Sequence, residues 1–359
     1  MSRAAVVVNP TKLSDQDAAR ATVAEAMQAA GWQEPLWIET SKEDPGYGAT
    51  EQALAQDVDL VLACGGDGTV RAVLTVLAGS GVPLGILPAG TGNLLARNLS
   101  LPLDDLAKAV EVALTGTDRA LDVGRLEPNA PDGRHERFAV MAGVGLDAAI
   151  MRDAPEDVKA RVGWPAYVLA ALKHVRSQGV RVTVTVDGGR SLHTRAQSVV
   201  IGNLGRLQGG VELLKDAVPD DGVLDIAVLN SHGVVDWIRI ASRVATRREP
   251  HDHRFVTLQG KHIEVELRHP QPRQVDGDLL DPSAMLAVQI EPGAILVRVP
   301  ELTEAGAAKA ARSDAAKAES AQAKAFARAD TDAPAGAQTS AEAPTSAEAQ
   351  PSGEPVPAG

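Results

Sequence analysis

One cysteine in 359 residues excludes an internal disulfide framework and a cysteine-based zinc site. Aromatic residues make up only 3%, so any core must be built of Val, Leu, Ile and Ala. The 44% hydrophobic content suffices for cores of that kind. No run reaches the roughly 18 apolar residues of a membrane-spanning helix. The N-terminus enters an apolar strand pattern at Ala4–Val8 without the longer apolar region of a signal peptide. A soluble, cytoplasmic protein is expected, one that meets any lipid from outside the bilayer. Basic charge is scarce too: the net charge of −12 argues against general nucleic-acid binding, which rests on Lys and Arg neutralising phosphates. The P-loop pattern Gly-x4-Gly-Lys-Ser/Thr is missing. Residues 143–148 imitate the dinucleotide pattern GxGxxA, but no acidic residue ends a following strand at the usual spacing, so they do not support an NAD fingerprint.

The chain is organised around residues 60–99. An apolar run, Leu60-Val61-Leu62-Ala63-Cys64, has the length and bounds of a buried strand. Cys64, at its end, is expected to be buried and inert. The run stops at Gly65-Gly66-Asp67-Gly68-Thr69, and a helical pattern follows. A second short strand over residues 84–87 stops at Pro88-Ala89-Gly90-Thr91-Gly92-Asn93, again before a helix. In an open α/β sheet, ligands sit at the carboxyl ends of strands. Glycine lets the backbone approach a ligand closely, and free amides at a helix start favour an anion. Two such turns about 25 residues apart, as the spacing of the strands implies, predict a polyphosphate site.

Asn9-Pro10, Gly65-Gly66-Asp67-Gly68-Thr69 and Pro88-Ala89-Gly90-Thr91-Gly92-Asn93 resemble the diacylglycerol/sphingosine lipid-kinase family, itself related to NAD kinases and phosphofructokinases through the GGDG turn. The likeness runs to about Pro300. It implies an ATP-dependent, Mg2+-requiring kinase for a lipid alcohol, most readily diacylglycerol. Other readings are a sphingoid base, another lipid alcohol, NAD, or a nucleotide-binding regulator that has lost catalysis. By the resemblance, Asn9, Thr40, the loop of Gly65, Gly66, Asp67, Gly68, Thr69, Val70 and Arg71, and Thr91 match nucleotide-contacting positions. Pro10, Thr11, Gly90 and Asn93 complete the candidate nucleotide site.

Phosphoryl transfer needs a phosphate cradle, a cation and an aligned nucleophile. Asp67, an acid among phosphate-binding amides, either holds Mg2+ or orients the acceptor hydroxyl; its other reading is an Asx-turn that fixes the loop. Gln274-Val275-Asp276-Gly277-Asp278 contains a tight turn. Without the family it is an ordinary Asp-Gly hairpin. The family has Asp-Gly-Glu here and uses the final acid as general base, which makes Asp278 the candidate base, with Asp276 beside it as a further catalytic candidate. Asp278 is one methylene shorter than Glu, and an error of about 1 Å in position can cost on the order of 100-fold. Asp147 is another acid at a family-like position. Val218-Pro219-Asp220-Asp221-Gly222-Val223 is either a turn or a hard-cation site of oxygen ligands; the resemblance implies a structural Mg2+ on the Asp221 carboxylate and the carbonyls of Val218 and Val223. Val70-Arg71-Ala72 departs from the family's x-Asn-Glu. Arg71 either adds charge near the phosphates or is solvated.

Strand and helix patterns alternate with short links up to about residue 120, which predicts a doubly wound, Rossmann-like parallel sheet. Beyond it, short alternating segments predict antiparallel sheets packed as a β-sandwich or partial barrel, interrupted by helices at 156–176 and 234–248. The expected organisation is a nucleotide-binding α/β domain (1–120), a linker near residues 120–122, a β-rich substrate and metal domain (121–300) whose last strands return toward the first, and a disordered Ala-rich tail (301–359). On the helix at 234–248, Arg239, Arg243 and Arg247 form a stripe that either rests on anionic headgroups or is a solvated face. The expected partner is a lipid substrate at the inner membrane face, with transient peripheral contact; a homodimer is compatible with the sequence but not specified by it.

Overall fold

The computed structural model describes residues 2–127, 133–145, 179–206, 213–230 and 255–301. The helices at 156–176 and 234–248, Asp147, the arginine stripe and the tail lie outside the described residues.

Four short apolar runs become parallel strands: β1 (Ala4–Val8), β2 (Leu36–Glu39), β3 (Leu60–Gly65) and β4 (Leu84–Pro88), ordered β4-β3-β1-β2. Helices α1 (Gln16–Ala29), α2 (Tyr47–Leu54) and α3 (Asp67–Leu77) are the crossovers. After β4 come α4 (Leu94–Asn98) and α5 (Leu106–Thr115). Successive strand residues point to opposite faces, and both faces are dry, which is why the runs are continuously apolar rather than alternating. Ala4, Val6, Val8, Leu60, Leu62 and Cys64 pack on Val23 and Met27 of α1 and Ala109, Val110 and Ala113 of α5. Ala5, Val7, Val61 and Ala63 pack on Ala49 and Ala53 of α2 and Val70, Val73, Leu74 and Leu77 of α3. The sheet is therefore doubly wound. Asp15 caps α1 by accepting from the Ala18 amide at 2.9 Å.

The chain then turns antiparallel: β5 (Thr117–Glu127), β6 (Arg137–Phe138), β7 (Met141–Gly145), β8 (Val180–Val186), β9 (Leu192–Ala196), β10 (Ser198–Gly202), β11 (Leu224–Leu229), β12 (Phe255–Gly260), β13 (His262–Val275) and β14 (Asp278–Val299). Val182, Val184, Val199, Ile201, Leu224, Ile226, Val228, Ile263 and Val265 supply a separate core.

Two expectations change. Residues 120–122 are not a linker but the middle of β5. Residues 285–290 and 295–299, two of the short alternating segments beyond residue 120, belong to the single strand β14. Pro292-Gly293 between them forms an irregularity rather than a turn: the β14–β5 register shifts between Glu291 and Ile295. The buried carboxylate of Asp122 holds that kink, accepting from the Gly293 amide at 2.7 Å. β14 thus carries Leu286, Val288 and Ile290 into the core of the β-rich part. It carries Ile295 and Val297 into the α/β core, where Val297 pairs with Leu84 of β4 in parallel register.

Candidate active site

In the parallel sheet the chain leaves β1 toward β2 on one side and places β3 on the other. The crevice at such a reversal is where α/β sheets bind ligands. Asn9, Thr40 and the first glycine-rich turn meet there: the Asn9 amide donates to the Cys64 carbonyl at 2.9 Å, and the Thr40 amide to the Val8 carbonyl at 2.8 Å. Asn9 Oδ1 accepts from the Thr11 amide (3.1 Å) and hydroxyl (2.8 Å), closing the short 3-10 turn Pro10–Lys12.

The glycines of the two turns are required by contact. A Cβ on Gly65 would lie 2.7 Å from the side chain of Thr69. A Cβ on Gly90 would lie 2.6 Å from the Gly66 Cα, so the two turns touch backbone to backbone. Gly66 precedes α3, whose first amides have no intrahelical acceptor. The second turn closes on itself: the Gly90 amide donates to Asn93 Oδ1 at 3.0 Å, and Asn93 Nδ2 donates to the Gly90 carbonyl at 2.8 Å. Asn93 is left-handed (φ 47°), a conformation Asn tolerates. Thr91 is exposed at the rim.

Asp67 joins the turns. Its Oδ1 accepts from the Leu94 amide, at the start of α4, at 2.5 Å. Burial raises its pKa and the neighbouring Asp278 adds to this, against the Leu94 amide, which lowers it.

The antiparallel part adds the β13–β14 hairpin. Asp276 (φ 43°) and Gly277 (φ 94°) make its two-residue turn, and positive φ at both positions is what an Asp-Gly hairpin turn demands. Asp278 leaves the turn against the first cradle loop: a Cβ on Gly68 would be 3.0 Å from Asp278 Oδ2. Asp276 points the other way, into the interior. Its carboxylate accepts from the amides of Ala139 (3.0 Å), Val140 (3.0 Å) and Met141 (2.8 Å). Burial pushes its pKa up to about 7, opposed chiefly by those amides. Asp276 therefore anchors the turn, and it is Asp278 that faces the cradle.

Arg71 is neither solvated nor aimed at open space. It is 8% exposed and donates through Nε (3.2 Å) and Nη2 (3.0 Å) to Asp278 Oδ2. Nη1 donates to Glu136 Oε2 and, at 3.2 Å, to the Tyr47 hydroxyl. Tyr47 in turn donates to Glu136 at 2.9 Å. Burial pushes the Tyr47 phenol up to about 12, so it stays a neutral donor. Arg134 stacks 4.0 Å over the Tyr47 ring. Sequence reasoning missed Tyr47, Arg134 and Glu136. The one available signal was a charged residue inside the apolar pattern of α3, and its partners lie 24, 65 and 207 positions away.

The 218–223 loop bonds to β5, where the Asp122 amide donates to the Pro219 carbonyl at 2.7 Å. Asp221 Oδ1 accepts from the Val223 amide at 3.1 Å, an Asx-turn geometry. Burial raises the Asp221 pKa, and the adjacent Asp122 and Asp220 add to it. Asp122 is committed to the Gly222 amide (2.7 Å) and to Gly293; Asp220 is paired with Arg119 at 2.8 Å. Among the described residues no group of three or more His, Cys, Asp or Glu side chains could hold a metal.

Two glycine-rich turns in contact at a sheet reversal, with an acid delivered from an antiparallel hairpin, define a phosphate-handling α/β enzyme. The model of the diacylglycerol kinase catalytic domain matches residues 3–126, and that of the YegS C-terminal NAD kinase beta sandwich-like domain matches residues 139–299. A diacylglycerol kinase of Bacillus subtilis (strain 168) is 28% identical over 285 residues, 77% of this chain and 90% of that protein. A Klebsiella pneumoniae (strain 342) protein named "Probable lipid kinase YegS-like" is 29% identical over 255 residues, 70% of this chain and 81% of that protein. The crystal structure of a diacylglycerol kinase from Bacillus anthracis str. Sterne shares the fold, with a TM-score of 0.66 at 22% identity, covering 84% of this chain and 98% of that one. The chain belongs to the diacylglycerol kinase/YegS family and is a lipid kinase. Among the described residues, no helix is long and apolar enough to cross a membrane.

Proposed function

We propose that this lipid kinase transfers the γ-phosphoryl group of ATP to the hydroxyl of diacylglycerol, yielding phosphatidic acid. One observation carries the reading: the hairpin acid Asp278 lies against Gly68 of a cradle whose two turns touch at Gly66 and Gly90. The amides opening α3 and the second turn receive the phosphates, with Asn9, Thr40 and Thr91 around the nucleotide. Asp278 takes the proton from the attacking hydroxyl. Asp276 holds the hairpin in place, and Asp67 keeps the two turns in register. The loose phosphoryl transition state asks more of positioning and charge than of the base, so the shorter Asp278 in the family's Glu position is tolerable.

Mg2+ fits two places. At Asp67 it would neutralise phosphate charge. At the 218–223 loop, two amides take up Asp122 and an arginine takes up Asp220, so Asp221, with the carbonyls of Val218 and Val223, is the acid that would offer the oxygen donors a hard cation prefers. Added Mg2+ should raise the melting temperature of the wild type, and Asp221→Asn should abolish that rise while sparing nucleotide binding.

A second reading, a nucleotide-binding regulator, is favoured by the two bonds from Arg71 that already occupy Asp278 Oδ2. Labelled ATP offered with diacylglycerol, a sphingoid base and NAD separates these readings. Transfer to diacylglycerol that falls at least about 100-fold in Asp278→Asn and Asp67→Asn supports the first. Tight ATP binding with no transfer to any acceptor supports the second, and transfer to NAD alone overturns the lipid assignment.

A further inference from the structure

The outer face of the β8–β9–β13 sheet carries a row of like charges. In the β8–β9 ladder Arg181 lies directly opposite Arg195, and Thr183 opposite His193. In the β13–β8 ladder Glu266 pairs with Thr183 and Leu267 with Val182, which places Arg268 opposite Arg181, one position beyond the last pair. Cross-strand partners share a face about 5 Å apart. The row across three strands therefore reads Arg268, Arg181, Arg195, and all three are exposed. Like charges directly opposite one another are destabilising. Nothing nearby relieves these: among the described residues, none of the three guanidinium groups has an ion pair or hydrogen bond. Glu266, the single acid beside them, makes no ion pair either. Together with Thr183, Thr194 and His193 they line an open groove of about 570 Å³.

Three guanidinium forks against the one carboxylate of Glu266, in a chain of net charge −12, suit one ligand chemistry. Arg presents a planar fork that binds phosphate oxygens bidentately, and threonine hydroxyls add neutral donors. We propose that this groove is a second binding site, for a phosphate monoester. The phosphoryl-transfer site is separate from it: from Arg268 the strand β13 runs seven residues to Val275 at the catalytic hairpin, roughly 20 Å of extended chain. The ligand phosphate belongs either to a phospholipid headgroup or to a soluble phosphorylated metabolite. The proposal does not depend on the assignment of the cradle.

The test uses the full chain with the cradle saturated by a non-hydrolysable ATP analogue, so that phosphate cannot be scored there. Glycerol 3-phosphate binding is measured by calorimetry. Vesicle binding is measured by co-sedimentation with phosphatidylcholine, with and without phosphatidic acid. Wild type should bind one or both probes, and the Arg181→Gln/Arg195→Gln variant should bind at least about tenfold more weakly. Binding of glycerol 3-phosphate identifies a soluble ligand; binding only of phosphatidic acid vesicles identifies a headgroup. Because the substitutions relieve repulsion, the variant should melt no lower than wild type, which separates lost binding from lost fold. Arg181→Lys/Arg195→Lys keeps the charge without the forks and should fall between the two. No saturable binding of either probe by wild type, or equal binding by wild type and the Gln variant, overturns the proposal.

Discussion

Arg71 shows how much one side chain can be asked to hold. It sits within a helix of the α/β half, yet its bonds go to Asp278 and Glu136, both contributed by the antiparallel half. Burial alone would disfavour its charge; the carboxylates of Asp278 and Glu136 outweigh that and raise its pKa. Removing it leaves two acids facing each other. Arg71→Met should destabilise by about 2–3 kcal/mol, less than a fully buried pair because Asp278 keeps contact with water. A urea midpoint measured beside wild type checks this. Arg71→Lys should recover part of the stability but not the geometry at Asp278, since an ammonium cannot serve both acids through one fork. Unchanged stability in the Met variant would mean that the network is ornamental.

At the scale of elements, two turns decide whether the site exists. Gly90 has no room for a side chain, because Gly66 backbone lies 2.6 Å from where a Cβ would be. Gly90→Ala should push the turns apart, lowering nucleotide affinity at least about tenfold and thermal stability with it; equilibrium binding of an ATP analogue and a melting curve read it. The β13–β14 turn hangs on Asp276. Asp276→Ala would orphan three buried amides at a cost of about 3 kcal/mol or more, read as a lowered denaturation midpoint. Its proton linkage has a definite sign. The folded pKa of about 7 lies above the ordinary aspartate value of 3.8, so between these values the folded state holds the proton that the unfolded chain releases. This group therefore makes stability fall as pH rises from about 4 to about 7, with no further change above. Wild type minus Asp276→Asn, compared by denaturation at pH 5 and pH 8, should show that loss.

For the whole molecule, β14 is the member that makes two halves into one. It pairs with β13 and β5 along its length and reaches β4 at Val297. Residues Met1–Glu301 form one compact unit. Deleting residues 302–359 should leave the melting temperature and the lipid-kinase activity close to those of the full chain, measured by calorimetry and by phosphate transfer. A large loss of either would give the tail a role that its composition does not suggest.

The sequence by itself determined the parts that are local. Continuous apolar runs ending in glycine-rich turns can be little other than buried parallel strands feeding helices, because backbone geometry and burial act over a few residues. Asp-Gly in an alternating run fixed the hairpin for the same reason. The tertiary structure decided what depends on distant partners. Whether an acid near the site faces the cradle, as Asp278 does, or the interior, as Asp276 does, is set by the left-handed backbone of the Asp276-Gly277 turn, since residues two apart in a regular strand would share a face, and by the amides of residues 139–141. The burial of Arg71, the continuity of β5 through residues 120–122, and the row of arginines on β8, β9 and β13 were likewise settled only by strand pairing. Pairing register joins residues that the chain keeps far apart, and no short-range pattern encodes it.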